Sequence, residues 1–356
     1  MKLRNNIVIV AIITGLFSAF SCKNEIDITD EWRETMVVFG LLNQADTAQY
    51  IKVNKAFLGE EDAFVMAGIY DSSNYSSQVD CVMERWRNNQ LLSTHTLYRD
   101  SLIPKDPGIF SYPNQVLYKT TDPLFDDSEY KLKITNNESG NFVTSSCSLV
   151  KNFSILEPLP AQTVISFLNV VNPFRVKWTT GTNGRLYQMM IRFFYFRKDK
   201  ITLVKTQDSV DWVFNEKRAE SILGGDELSE EFMGELFYKF VKATIKNPGN
   251  ADFLIPGKIS NSFYQFDFFV YAAAEEFATY MEVNEPSLTV LQEKPIYTNI
   301  KDQSGNDAVG IFSSRLFRIK QGIRLTDQST DSLFAGQYTY QLGFCTESIL
   351  SPYFCQ

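Results

Sequence analysis

The sequence predicts a mainly β protein in two parts: an N-terminal immunoglobulin-like β-sandwich, then a second β-rich (α+β) domain carrying one amphipathic helix. Three observations predict it. Short runs of alternating apolar and polar residues recur with turn signals between them. A stiff Glu157-Pro158-Leu159-Pro160 segment interrupts the series. One stretch near 229–246 carries an apolar period of three and four residues instead of two.

The first domain is expected over 34–152. Met36 to Leu42 reads as a continuous apolar strand, and Gln49 to Phe57 alternates around Ile51 and Val53. Val79 to Trp86 is rich in β-formers. Tyr130, Leu132 and Ile134 alternate with Lys131, Lys133 and Thr135, and a polar turn from Asn136 to Gly140 leads back into Phe142 to Leu149. No helical period competes here, and Gly68 to Ser77 and Pro104 to Pro113 read as long polar loops.

The second domain is expected over 160–356. Phe174, Val176 and Trp178 alternate with Arg175 and Lys177. Tyr187, Met189, Ile191, Phe193 and Tyr195 then share one face of a strand, with Ile201 to Thr206 as its hairpin partner. Phe263 to Ala272 is apolar on both faces, as a central strand is. The helix places Phe232, Met233, Leu236, Phe237, Phe240, Val241 and Ile245 on one side. Ser229 is its expected N-cap, Glu230 and Glu231 suit its first turn, and Asn247-Pro248-Gly249 stops it. Glu275 to Asn284 reads as a second, weaker helix.

The chain begins like an exported protein. Lys2 and Arg4 precede an apolar run from Ile7 to Phe20, shorter than the ~20 residues that span a bilayer. Ser18, Ala19, Phe20 and Ser21 lead to Cys22, with Ala19 where a lipobox usually carries Leu. The expectation is a signal peptide over 1–21, acylation of Cys22 with a diacylglycerol and palmitate, and a polar tether over 22–33. Several acyl chains hold firmly where one holds marginally. The competing readings are a secreted protein whose signal happens to end at a Cys, and a single anchor helix.

Composition narrows the function. A formal charge of −8 and the lack of a basic block argue against a nucleic-acid partner. Hydrophobic residues at 44% and charged residues at 21% are those of a folded globular chain. The 29 Phe, 17 Tyr and 4 Trp are read as sheet core, with a carbohydrate or peptide platform as the alternative. Export brings oxidation, so Cys345 with Cys355, and Cys81 with Cys147, are candidate disulfides; four free buried thiols are the competing reading.

Catalytic signatures are scarce, and the expectation is no enzyme and no cofactor. The single histidine, His95, lies in Ser93-Thr94-His95-Thr96 without a G-x-S-x-G elbow, and reads as a surface strand residue. No C-x₂-C, P-loop or G-x-G-x-x-G occurs. Gly224-Gly225-Asp226-Glu227-Leu228 resembles the GGDEF signature of diguanylate cyclases, yet an exported chain lacks their nucleotide substrate, so a structural turn is expected. Glu275-Glu276 and Asp126-Asp127 are adjacent, and neighbours on a strand point apart, so solvated charge is expected over a glycosidase pair. Asp327 and Asp331 lack calcium-loop spacing.

The order of segments resembles a known family. The Cys22 lipobox, Met36-Val37-Val38-Phe39-Gly40-Leu41-Leu42, the Y-x-L-x-I strand Tyr130 to Ile134, Asn284-Glu285-Pro286, Tyr297-Thr298-Asn299-Ile300 and Gly310-Ile311-Phe312-Ser313 are similar to Bacteroidetes lipoproteins in the 4249 family of domains of unknown function. Lys23, Asn24, Glu25 and Asp27 resemble the signal that sends such lipoproteins to the outer face of the outer membrane. The resemblance implies a β-rich outer-membrane lipoprotein working beside a TonB-dependent transporter, and transfers no catalytic residue. The leading expectation is a membrane-anchored binding or accessory module for nutrient uptake or envelope assembly, its ligand open. A fimbria-associated structural protein is the alternative, and a carboxylate hydrolase comes third.

Overall fold

The computed structural model describes residues 35–56, 62–75, 79–168, 171–284 and 296–356. The expected signal segment and tether, with Cys22, and Glu285 and Pro286 lie outside the described residues. No described helix is long and apolar enough to cross a membrane.

The first part of the chain forms β1 (Met36–Leu42), β2 (Gln49–Lys55), α1 (Ala63–Gly68), α2 (Tyr70–Ser73), β3 (Val79–Arg87), β4 (Gln90–Pro104), β5 (Asn114–Thr120), β6 (Glu129–Asn136) and β7 (Phe142–Ser148). Then come β8 (Ile155–Glu157), β9 (Val164–Ile165), β10 (Phe174–Thr179), β11 (Gly184–Asp199), β12 (Lys205–Arg218), β13 (Glu227–Phe232), α3 (Gly234–Thr244), β14 (Asp252–Pro256) and β15 (Phe266–Ala274). The chain continues through α4 (Glu275–Asn284), β16 (Lys301–Asp302), β17 (Val309–Leu325) and α5 (Asp327–Ala335).

Two β-sandwiches result. In the first, β4 pairs with β3 through Leu97 and with β5 from Tyr98 onward, so one strand passes between two facing sheets. The predicted alternations hold: Tyr130, Leu132 and Ile134 are all buried, in one core with Met83 of the neighbouring β3 and Val38 and Ile51 of the facing sheet. In the second, the antiparallel sheet β12-β11-β15-β17 faces the small sheet β13-β10-β8. Tyr187, Met189, Ile191, Phe193 and Tyr195 turn into that gap with Trp178 and Phe237.

The two cores do not divide the chain at Glu157–Pro160. Ile300, Ala308 and Phe312 belong to the first core, far downstream of that break. The physical reason is β17. Its first residues, Val309 to Ser314, pair in parallel with β1, and Arg315 to Ile323 continue as a neighbour of β15. One strand of 17 residues, ~55 Å long, therefore runs through both sandwiches. At Gly310, φ is +119° and an added Cβ would lie 1.8 Å from the Val38 carbonyl oxygen, so only glycine lets β17 approach β1 this closely.

Other differences have local causes. The helix near 229–246 starts later, at Gly234, with Met233 as N-cap and no side-chain cap. Ser229, Glu230 and Glu231 lie instead in β13, where opposite charges hold them across strands: Glu231 faces Arg175, Glu230 meets Lys217 at 3.1 Å, and Glu227 pairs with Lys177. Ile201 to Val204 forms the hairpin turn, with Asp199 Oδ1 accepting from the Ile201 and Thr202 amides, and the partner strand begins at Lys205. In the first part of the chain α2 occupies the stretch from Gly68 read as loop, and α1 lies just before it. The weaker helix, Glu275 to Asn284, forms as expected and packs Ala278 against Leu186 and Ala273.

Candidate functional site

The two stretches read as long loops meet over the outer face of β1 and β2. On β1, Met36 and Val38 turn inward, leaving Val37 and Phe39 outside; on β2, Ile51 and Val53 turn inward, leaving Lys52 and Asn54 outside. Asp62 starts α1 by accepting from the Phe64 amide at 2.8 Å. Asn54 Nδ2 ties the end of α2 down, donating to the Ser73 carbonyl at 2.8 Å and Asn74 Oδ1 at 3.1 Å. The segment 104–113 closes on itself through the Lys105 amide and Pro113 carbonyl (2.7 Å), and joins α1 through the Ser111 amide and Ala67 carbonyl (3.2 Å).

Between this roof and the sheet lies a cavity of about 290 Å³. Val37, Phe39, Ala56 and Phe110 give it apolar walls, and Lys52, Lys55 and Lys105 line it. Among the described residues no carboxylate lines it. Lys105 Nζ donates to the Phe110 and Ser111 carbonyls at 3.4 and 3.3 Å, and Lys55 Nζ lies 6.0 Å from the Tyr75 ring. Lys52 rises from the outer face of β2. Burial, and secondarily the Lys105 charge, pulls its ammonium below the ordinary lysine value.

A second concavity, about 580 Å³ and open, lies where β4 passes between the sheets. His95 sits at its edge, half-buried. Ser93 Oγ is 2.8 Å from His95 Nε2, and His95 Nδ1 is 2.7 Å from Asp122 Oδ2. This is the atom order of a serine-hydrolase relay. Its surroundings restrain a loop. Thr120 Oγ1 also donates to Asp122, the Phe125 amide donates to the Tyr130 hydroxyl at 2.7 Å, and the Arg85 guanidinium lies 3.8 Å over the Phe125 ring. Arg85 and Arg87 both reach Asp127, at 3.1 and 2.6 Å. The relay is therefore one of several pins holding 121–128 to β3, β4 and β6. The His95 and Thr120 hydrogen bonds lower the Asp122 carboxyl; those from Ser128 and Arg87 take Asp127 to about 2.

The remaining candidates separate. Cys345 and Cys355 form a disulfide. Cys81 and Cys147 are free and buried, and do not pair. Cys81 faces Ile134 and Cys147 faces Tyr130 on β6, so they stand two strand spacings (~10 Å) and four residues (~13 Å) apart, beyond disulfide reach. Glu275 is held by Arg185 and Arg218, both at 3.0 Å, and Glu276 accepts from Ser313 Oγ at 3.0 Å. Asp327 lies 3.7 Å from Arg324. Among the described residues no three His, Cys, Asp or Glu side chains could hold a metal ion together. Gly224 and Gly225 form a positive-φ turn against Gly181 and Thr182, and the Asp226 carbonyl accepts from the Thr180 amide at 2.7 Å.

Sequence reasoning did not find the lysine-lined cavity. The signal was present in two parts: Lys52 between core residues Ile51 and Val53, and two long loops on either side of β3 and β4. Only the paired strands bring Lys52 under segment 104–113.

No protein-family model matches the chain, and no curated protein matches it. Among solved structures, the C-terminal globular domain of an oligosaccharyltransferase from Pyrococcus abyssi is 10% identical with a TM-score of 0.25, over 62% of this chain and 45% of that one. The chain thus spans less than half of that structure. A cytokine receptor complex is 8% identical with a TM-score of 0.22, over 82% of this chain and 99% of that one. The sandwich architecture of this chain rests on its own sheet order.

Proposed function

We propose that this chain is a lipid-anchored protein of the bacterial outer membrane, facing the cell surface, that holds a small ligand as an accessory binding module for uptake or envelope assembly. The observation that carries the binding role is the roofed cavity: apolar walls, convergent polar groups and loops positioned by a rigid sheet are the ordinary features of a small-molecule site. The anchoring rests on the signal-like segment before Cys22 and on the resemblance to Bacteroidetes lipoproteins, which also supplies the TonB-dependent transporter as the proposed partner. Val37 and Phe39 lie soon after the proposed tether, so the cavity is near the end of the fold that the anchor would hold.

The test is labelling of cells with a palmitate analogue, followed by detergent extraction and affinity purification. Incorporation lost in Cys22→Ser, with a transporter in the eluate, is the expected result. Unacylated Cys22 overturns the anchored reading. A fimbrial shaft in the eluate favours the structural alternative.

A further inference from the structure

We propose that the cavity beneath α2 and segment 104–113 receives a small organic anion with an apolar body, its head group bound by Lys52 and Lys105. This rests on the reading of the cavity as a ligand site. Two observations carry it. The first is charge: the Lys52 and Lys105 ammonium groups act on one another in a chain whose formal charge is −8, and among the described residues no carboxylate lines the cavity. Lysine side chains that lose water are ordinarily paired. Lys105 also donates to two backbone carbonyls and Lys55 lies over the Tyr75 ring, so Lys52 is the cation that the cavity offers a ligand. The second is shape: Phe39, Val37, Ala56 and Phe110 offer the body of a ligand surfaces without hydrogen-bonding side chains, and about 290 Å³ suits a molecule of modest size.

The position of Lys52 explains why it is the receptor. It projects from the middle of β2, a strand held by β1 on one side and β5 on the other. Its stem is therefore fixed by the sheet, whereas Lys105 sits on the roof. A monocarboxylate entering between them would replace lost hydration with a charge-assisted hydrogen bond.

The lowered proton affinity of Lys52 adds a pH signature. The charged group facing it is Lys105 from the roof, and among the described residues no Asp, Glu, His, Tyr or Cys lines the cavity. Anion binding should weaken as pH rises through the lowered Lys52 value, before an ordinary lysine would deprotonate.

The experiment titrates the detergent-solubilised full chain with 3-phenylpropionate and octanoate. Their neutral counterparts, 3-phenylpropanol and octanol, are titrated in parallel, and binding is read by calorimetry and by tryptophan emission of a Phe110→Trp reporter. The carboxylates should bind at least about tenfold more tightly than the alcohols. Lys52→Met, which keeps an apolar stem, should remove that preference, and Lys52→Arg should retain it. Equal binding of acids and alcohols, unchanged in Lys52→Met, overturns the anion assignment and leaves the cavity reading standing. Failure of every probe to bind or to move the reporter overturns the cavity reading itself. A thermal melt of each variant establishes that it is folded.

Discussion

Replacing Gly310 by alanine tests the close approach of β17 to β1. At φ +119° a residue with a side chain is strained by about 1–3 kcal/mol. The added methyl would also meet the Val38 backbone, with its oxygen at 1.8 Å and its carbon at 2.7 Å. Both strands are laddered on either side there, so relief requires moving a strand, an overpacking cost of about 1–3 kcal/mol. The sum is about 4 kcal/mol. With a urea dependence of about 3 kcal/mol per molar, the unfolding midpoint of the first sandwich should fall by more than 1 M. Gly305→Ala is the control: φ there is +81° and nothing lies within 4 Å of the new methyl, so it carries the strain without the collision and should shift the midpoint less. Equal midpoints for Gly310→Ala and the parent, by far-UV circular dichroism, would refute the reasoning.

Other expectations follow from the cores and the loop pins. Phe237 anchors α3 against Phe167, Phe193 and Phe266, so Phe237→Ala should cost about 3–5 kcal/mol in chemical denaturation. The Cys345–Cys355 bridge closes a loop with a sequence separation of 10, and Cys355→Ser should cost about 2–3 kcal/mol by chain entropy, read as a lower melting temperature. Native protein should resist thiol alkylation at Cys81 and Cys147, whose thiols burial pushes up, and both should react in denaturant; rapid native labelling would contradict their burial. Asp122 and Asp127 have folded-state values below their usual ~3.9, so their contribution to holding 121–128 is present above that value and is lost as pH falls through the lower folded values, about 2 for Asp127. Hydrogen exchange in 121–128 should rise over that window, and His95→Ala should raise it already at pH 7.

Much of the fold was legible because period and burial coincide. Tyr130, Leu132 and Ile134 alternate with polar residues and are buried, and the five odd-numbered residues from Tyr187 to Tyr195 fill one core. Where the reading failed, a distant partner decided. Ser229, Glu230 and Glu231 look like the start of a helix, and only Arg175, Lys177 and Lys217 across the sheet draw them into β13. The helix α5 had an unread local signal, Thr326 accepting from the Ser329 amide as a cap. Pairing of β17 with β1 joins positions some 270 residues apart, and nothing near Val309 announces it. The His95 relay was likewise hidden, because Asp122 approaches from the loop after β5. The cavity was least legible of all, since its lysines come from two segments with β3 and β4 between them.

The strand shared by both sandwiches also sets an order of events as the chain emerges and folds. Residues 36–149 emerge early, yet the neighbour that covers the outer edge of β1 is among the last parts of the chain to be made. Until Val309 to Ser314 arrive, β1 offers bare amides and carbonyls on that side, a template for any other extended segment nearby. The nascent protein thus has a long vulnerable interval, and a chain that stops short of Gly310 would keep that open edge permanently.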